Sequence, residues 1–236
     1  MSCLDLLRGG LIVSVQAWPG SAIDDPYVIS AMARAAQEGG AVAVRIQGVD
    51  NLRAVRELVE LPIVGLIKRE YPGFAPYITP TRAEVGEIVA CGAEIVAFDA
   101  TGRDRPANDD VESIVEAIHA ARALAMADCA TFADARRAWG CNADIVATTL
   151  CGYTDDTAGA ELPALDLVAA LRDARASEGF VVCEGGVHRP EQLRAAFEAG
   201  ADAVVVGTAI TNVDWLVREF AGSAESNPLK GRDQAL

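Results

Sequence analysis

The 236-residue sequence has only two histidines, no C-x-x-C pair and no apolar stretch approaching a membrane span. Each shortage excludes something. His119 and His188 lie far apart in the chain and form no recognisable His-plus-carboxylate cluster, so no metal site is expected. The six cysteines (Cys3, Cys91, Cys129, Cys141, Cys151 and Cys183) are scattered and read as buried free thiols of a reducing compartment. Cys151 and Cys183 are the alternatives for a nucleophile, but neither has an evident base beside it. A transmembrane helix needs about 18 or more apolar residues, and the start MSCLDLLRGG lacks the basic and long apolar segments of a signal peptide. The cytoplasm is the expected location. Basic residues are also short: 20 Lys and Arg against 34 Asp and Glu give a net charge of −14. Such a field repels nucleic-acid backbones and anionic lipid, so neither is an expected partner, and an anionic ligand has to be gripped locally.

What the sequence does have is apolar residues, 51% of the chain, enough to exclude general disorder and to fill one large domain. Four segments align on a shared alanine: GGAVAVRIQ, CGAEIVAFDA, CNADIVATTL and AGADAVVVGTA. Their anchors Ala41, Ala93, Ala143 and Ala201 are 52, 50 and 58 residues apart, about twice the length of one strand and one helix. Each interval therefore holds two units, and the missing strands are GLIVSVQ, PIVGLIK, LAMAD and FVVCEGG. Helical patterns between them are expected to start near Asp25, Asp50, Thr81, Asp109, Thr131, Leu165 and Pro190, the last stopping at Gly200. Eight apolar strands, each followed by a helix, imply a parallel sheet covered on its outside, hence a single (β/α)8 TIM barrel over residues 1–220 and a polar C-terminal tail over 221–236. A doubly wound sheet is the alternative, but its G-x-G-x-x-G loop is missing after the first strand. Two connections, Tyr71–Pro80 and Gly152–Ala164, are long; the second reads as either a lid or an idle surface loop.

Active sites of such barrels are built at the C-terminal ends of the strands, so candidates can be read off where apolar runs close. They are Gln16, Arg45, Lys68 with Arg69, Asp99, Asp128, Thr148 with Thr149, Glu184, and Gly207 with Thr208. Lys68 ends IVGLIK, where a buried amine can become a general base. Glu184 ends FVVCEGG and can hold or exchange a proton facing that amine, or simply pair with Lys68 or Arg45. Asp128 reads as the acceptor of a sugar hydroxyl or as a structural partner of Arg45, and Gln16 with Arg45 as donors to a carbonyl or amide oxygen. Asp99 reads as a cap or a partner of Arg103 or Arg105. Gly185, Gly186, Gly207 and Thr208 occupy the two loops where many barrels grip phosphate with backbone N–H groups. His119 and His188 are read as ordinary surface or core residues, His188 having some chance of touching a ligand.

Taken together, GGLIVSVQAWPG, IVGLIKREYPG, YITPT, FDATGRDRP, MAD, TTLCGYT, CEGG and VVVGTAIT, in that order and across most of the chain, resemble the N-acetylmannosamine-6-phosphate 2-epimerases of amino-sugar and sialic acid catabolism. The resemblance implies an isomerase that interconverts N-acetylmannosamine 6-phosphate and N-acetylglucosamine 6-phosphate at C2 without a redox cofactor. It implies Lys68 and Glu184 as catalytic residues, with Gln16, Arg45 and Asp128 at the substrate. Thr149, closing the sixth strand, is grouped with them as substrate-binding. A homodimer is compatible with it. Two other readings of the same residues stay open: a Schiff-base aldolase using Lys68, and a non-catalytic barrel that binds a sugar phosphate.

Overall fold

The computed structural model describes residues 2–175 and 179–225. In chain order the elements are α1 (Cys3–Leu7), β1 (Leu11–Val15), α2 (Pro26–Glu38), β2 (Ala43–Gln47), α3 (Val49–Leu58), β3 (Ile63–Leu66), α4 (Arg82–Val89), β4 (Ile95–Asp99), α5 (Val111–Ala120), β5 (Leu124–Asp128), α6 (Phe132–Gly140), β6 (Ile145–Ala147), α7 (Leu165–Ala174), β7 (Phe180–Glu184), α8 (Pro190–Ala199), β8 (Ala203–Val206), α9 (Thr208–Thr211) and α10 (Val213–Glu225). The eight strands pair in sequence order, all parallel, and β8 closes onto β1. This is the (β/α)8 barrel that the repeat implies.

Period-two alternation along each strand splits the core in two. Ile12, Ala43, Val64, Leu66, Ile95, Met126, Ile145, Phe180, Val182 and Val205 fill the barrel, and Leu7 of α1 joins them. The residues between them, such as Val13, Val44, Val96, Val146, Val181 and Val204, pack outward under the helices. Helix starts follow capping chemistry: Asp25 and Thr81 accept N–H groups of α2 and α4, Thr131 caps α6, and Gly200 ends α8 at φ 107°. Helix α5 starts two residues later than Asp109. Asp110 is its cap, because Asp109 is engaged by the backbone N–H and Nε of Arg82. Helix α10 runs past the boundary expected at 221; Ala221, Ala224 and Glu225 favour helix, and residues 226–236 lie outside the described residues. The six cysteines are free, but Cys3 and Cys141 are only half-buried, being close to the ends of helices that face solvent. None of the described helices is long and apolar enough to cross a membrane.

The residue after each anchor alanine is Val42, Glu94, Asp144 or Asp202, and the three acids do the same job. Glu94 accepts the N–H of Ile63 at 2.9 Å, Asp144 that of Ala125 at 2.7 Å and Asp202 that of Val181 at 2.9 Å. Each carboxylate thus satisfies a donor at the start of the neighbouring strand, on the barrel face opposite the candidate site, where polar residues serve stability rather than chemistry. Asp202, almost fully buried, also binds Arg8 and Arg175. Replacing Asp202 with Ala should lower unfolding free energy by about 1–3 kcal/mol, the cost of stranding a buried donor, with KM unchanged. Urea titration alongside steady-state kinetics checks this; an unchanged midpoint or a shifted KM would contradict it.

Candidate active site

The same alternation that packs the barrel carries its inward rows up to the C-terminal mouth. Ile12 is followed on that row by Ser14 and Gln16, Ala43 by Arg45, and Val64 and Leu66 by Lys68. Met126 is followed by Asp128, Ile145 and Ala147 by Thr149, Phe180 and Val182 by Glu184, and Ala203 and Val205 by Gly207. Polar side chains at the ends of six strands, and Gly207 at the end of β8, therefore converge on the barrel axis. Of the sequence-derived candidates, Gln16, Arg45, Lys68, Thr149, Glu184, Gly185, Gly186, Gly207 and Thr208 line one pocket of about 240 Å³. Asp128 sits behind that wall and does not line it.

At the pocket floor Arg45, 1% exposed, is shared by two carboxylates. Its Nη1 and Nη2 donate to Asp128 Oδ1 and Oδ2 at 3.1 and 2.6 Å, and Nη1 lies 3.1 Å from Glu184 Oε2. The Thr149 hydroxyl bridges the two acids, 2.7 Å from Asp128 Oδ1 and 3.1 Å from Glu184 Oε2. Thr148, facing outward, clamps the Glu184 backbone: its hydroxyl donates to the Glu184 carbonyl at 2.9 Å and accepts the Glu184 N–H at 3.1 Å. Both acidic roles considered for Arg45 are thus occupied at once.

The electrostatics follow from this crowding. Burial opposes the charge on Arg45, but Asp128 and then Glu184 outweigh it and hold the guanidinium charged. Burial pushes Glu184 up to about 7; Asp128 adds to the rise while Arg45, the Thr149 hydroxyl and Lys68 oppose it. Lys68 stands in the open part of the pocket with no carboxylate in ion-pair contact among the described residues. The walls remove enough hydration, with help from the Arg45 cation, to lower its pKa against the pull of Glu184 and Asp128. The cysteine alternatives fall away: burial raises both thiols, Cys183 to about 11, and Cys183 lies on the outward row of β7.

Two loops complete the walls. The Tyr71–Pro80 connection folds back between β3 and β4: Arg69 N–H donates to Tyr77 O, Thr79 N–H to Ile67 O and Asp99 N–H to Ile78 O. That wedge brings Tyr77 and Ile78 to the pocket. The Gly152–Ala164 loop contributes Tyr153 at the rim and sets Leu162 against Gly186, where φ is 71° and a Cβ would come within 2.3 Å of Leu162 Cβ. Gly186 is therefore fixed by both backbone and space. The N–H groups of Gly185, Gly186, Gly207 and Thr208 have no protein acceptor among the described residues. Asp99 stays out of the pocket, bound to Arg103 at 2.6 Å and to the Thr101 hydroxyl. Trp18, Tyr77, Tyr153, His188 and Asn212 also line the pocket. Of these, sequence reasoning considered only His188 as a ligand contact; the rest lie in loops or after the last strand, where no apolar run marks them.

In a chain of charge −14, this pocket has Arg45, Lys68 and His188 in its lining against one acid, Glu184. It can receive an anionic, hydroxyl-rich molecule, and its unpartnered Gln16 Oε1 and Arg45 Nε are suited to polar groups of a ligand. The profile of the family described as "Putative N-acetylmannosamine-6-phosphate epimerase" matches residues 29–226. The protein named "Putative N-acetylmannosamine-6-phosphate 2-epimerase" in Enterobacter sp. (strain 638) is 42% identical over 96% of this chain and 97% of its own length. Its namesake in Salmonella arizonae is 45% identical over 88% of each. The structure of the N-acetylmannosamine-6-phosphate 2-epimerase from Clostridium perfringens superposes with a TM-score of 0.91 at 38% identity, covering 94% of this chain and 96% of that one. The chain belongs to the N-acetylmannosamine-6-phosphate epimerase family.

Proposed function

We propose that the protein interconverts N-acetylmannosamine 6-phosphate and N-acetylglucosamine 6-phosphate by proton transfer at C2. The observation that carries this reading is an amine and a carboxyl, Lys68 and Glu184, lining one pocket beside the Arg45 guanidinium in a member of the epimerase family; burial lowers the pKa of the amine and raises that of the carboxyl. Shifts that bring an amine down and a carboxyl up toward each other prepare the pair to exchange protons with a substrate.

In the open-chain sugar, C2 neighbours the C1 aldehyde, which acidifies the C2 proton. Lys68 as free amine takes that proton; the electron pair moves toward the C1 oxygen, giving an enolate. Glu184 as carboxylic acid returns a proton to the opposite face of C2, and the carbonyl re-forms. Lys68 is then an ammonium and Glu184 a carboxylate, the starting state for the reverse inversion. Both states hold the same number of protons, so the reset before a second turnover in the same direction is the passage of one proton from Lys68 to Glu184 through solvent in the pocket. Arg45 supplies fixed positive charge for the enolate oxygen, and Asp128, behind the pocket wall, holds Arg45 in register. Gln16 and Thr149 are assigned to polar contacts with the substrate. Gly185, Gly186, Gly207 and Thr208 are assigned to the phosphate, whose binding energy orients the distant C2. Six free thiols support the reading that the enzyme works in the reducing cytoplasm.

Lys68→Ala and Glu184→Gln should each lower kcat by about 10²–10⁴-fold, the range for removing a general acid or base, with thermal midpoints near the parent's. Epimer formation followed by NMR measures this; activity within tenfold of the parent would remove that residue from the mechanism. The pH dependence has a definite sign. Inversion in either direction needs one proton on the pair, so kcat/KM should rise as pH passes upward through about 7, where Glu184 loses its proton, and fall at higher pH as Lys68 becomes neutral with Glu184 ionised. In Glu184→Gln the limb near pH 7 should vanish; its persistence would assign that limb elsewhere.

A further inference from the structure

The phosphate-facing end of the pocket has no Lys or Arg among its lining residues, since Arg45 is bound to two acids and Lys68 belongs to the reacting end. Two other side chains are free to donate there. His188 follows Gly185 and Gly186 and lines the pocket; neither ring nitrogen has a hydrogen-bond partner among the described residues, only its backbone N–H being used, toward Gln192 Oε1. Asn212 is 5% exposed and lines the pocket beside Gly207 and Thr208. It caps α10 through Oδ1, which accepts the Trp215 N–H at 2.9 Å, and that bond fixes which end of the amide is left over. Its Nδ2 has no partner among the described residues. Asn212 lies in the pocket lining, so that N–H₂ faces the pocket and can donate to a ligand held there.

One residue holds both groups. The Trp215 ring lies against the His188 imidazole, centroids 5.0 Å apart and 35° between planes, while its backbone N–H orients Asn212. We infer that His188 and Asn212, aligned by Trp215, are the side chains that read the substrate's phosphate, adding directed N–H donors to the backbone grip of the β7 and β8 loops. The inference rests on the epimerase reading and deepens it: the ligand class is a phosphate monoester, recognised by an imidazole and an amide in place of the guanidinium or ammonium groups such sites commonly use. Such a site discriminates by paired N–H donors, so a substrate lacking the phosphate leaves them stranded.

The test compares kcat/KM for N-acetylmannosamine 6-phosphate with that for N-acetylmannosamine, in the parent, His188→Ala and Asn212→Asp. An aspartate keeps the acceptor for Trp215 and remains a good helix cap, while placing negative charge where the amide N–H₂ stood. The ratio of the two efficiencies cancels any general loss of folded enzyme. It should fall at least tenfold in each variant and further in Asn212→Asp, and inorganic phosphate should inhibit both variants at least tenfold more weakly. Ratios and phosphate inhibition within twofold of the parent in both variants would overturn the inference while leaving the epimerase reading intact. A parent that turns over both sugars with equal efficiency would overturn the phosphate reading itself, and this inference with it.

Discussion

The buried guanidinium of Arg45, shared by Asp128 and Glu184, is the constraint on which the site depends. Taking three ions out of water costs several kcal/mol each, and mutual attraction offsets this only when geometry is good and the remaining polar atoms are satisfied. Here Asp128 takes the bidentate share and Thr149 completes it. Glu184 receives one contact from the same cation and is pushed up to about 7. A single arginine with unequal partners thus holds one acid through two hydrogen bonds and leaves the other, Glu184, able to carry a proton at neutral pH.

The barrel divides labour between its two ends. At the N-terminal face, three acids at one repeat position cap neighbouring strands, and α1 seals the bottom with Leu7. At the C-terminal face, the residues that end the inward rows carry charge and hydroxyls into the lumen. The overall charge of −14 and a pocket with an excess of basic groups in its lining are compatible because binding is decided by groups within a few ångströms, long-range fields being screened beyond a Debye length of about 8–10 Å.

Much of this was legible in the sequence because two periodicities coincide. The Ala-anchored repeat marks four strands and its interval demands four more, and alternation within each strand then fixes which polar residue faces inward. Lys68 and Glu184 could be found that way because each closes an apolar run. Arg45 as a partner of Asp128 or of Glu184 was readable as an alternative for each acid, but that one guanidinium holds both at once was not, since it depends on three strands meeting across the barrel. Tyr77 escaped notice because it reaches the pocket through a loop that wedges between β3 and β4, and Asn212 because its placement depends on a helix cap after the last strand. Helix α1 has five residues, too few to show a helical period.

The central claim is that C2 is inverted by deprotonation and reprotonation through Lys68 and Glu184. Turnover in heavy water tests it most directly, with mass and NMR analysis of the product. An ammonium and a carboxylic acid in a pocket open to solvent exchange with it, so the account predicts one solvent deuterium at C2 of the epimerised product. Epimer free of deuterium, formed with no primary isotope effect from C2-deuterated substrate, would contradict proton transfer at C2 as the rate-limiting step.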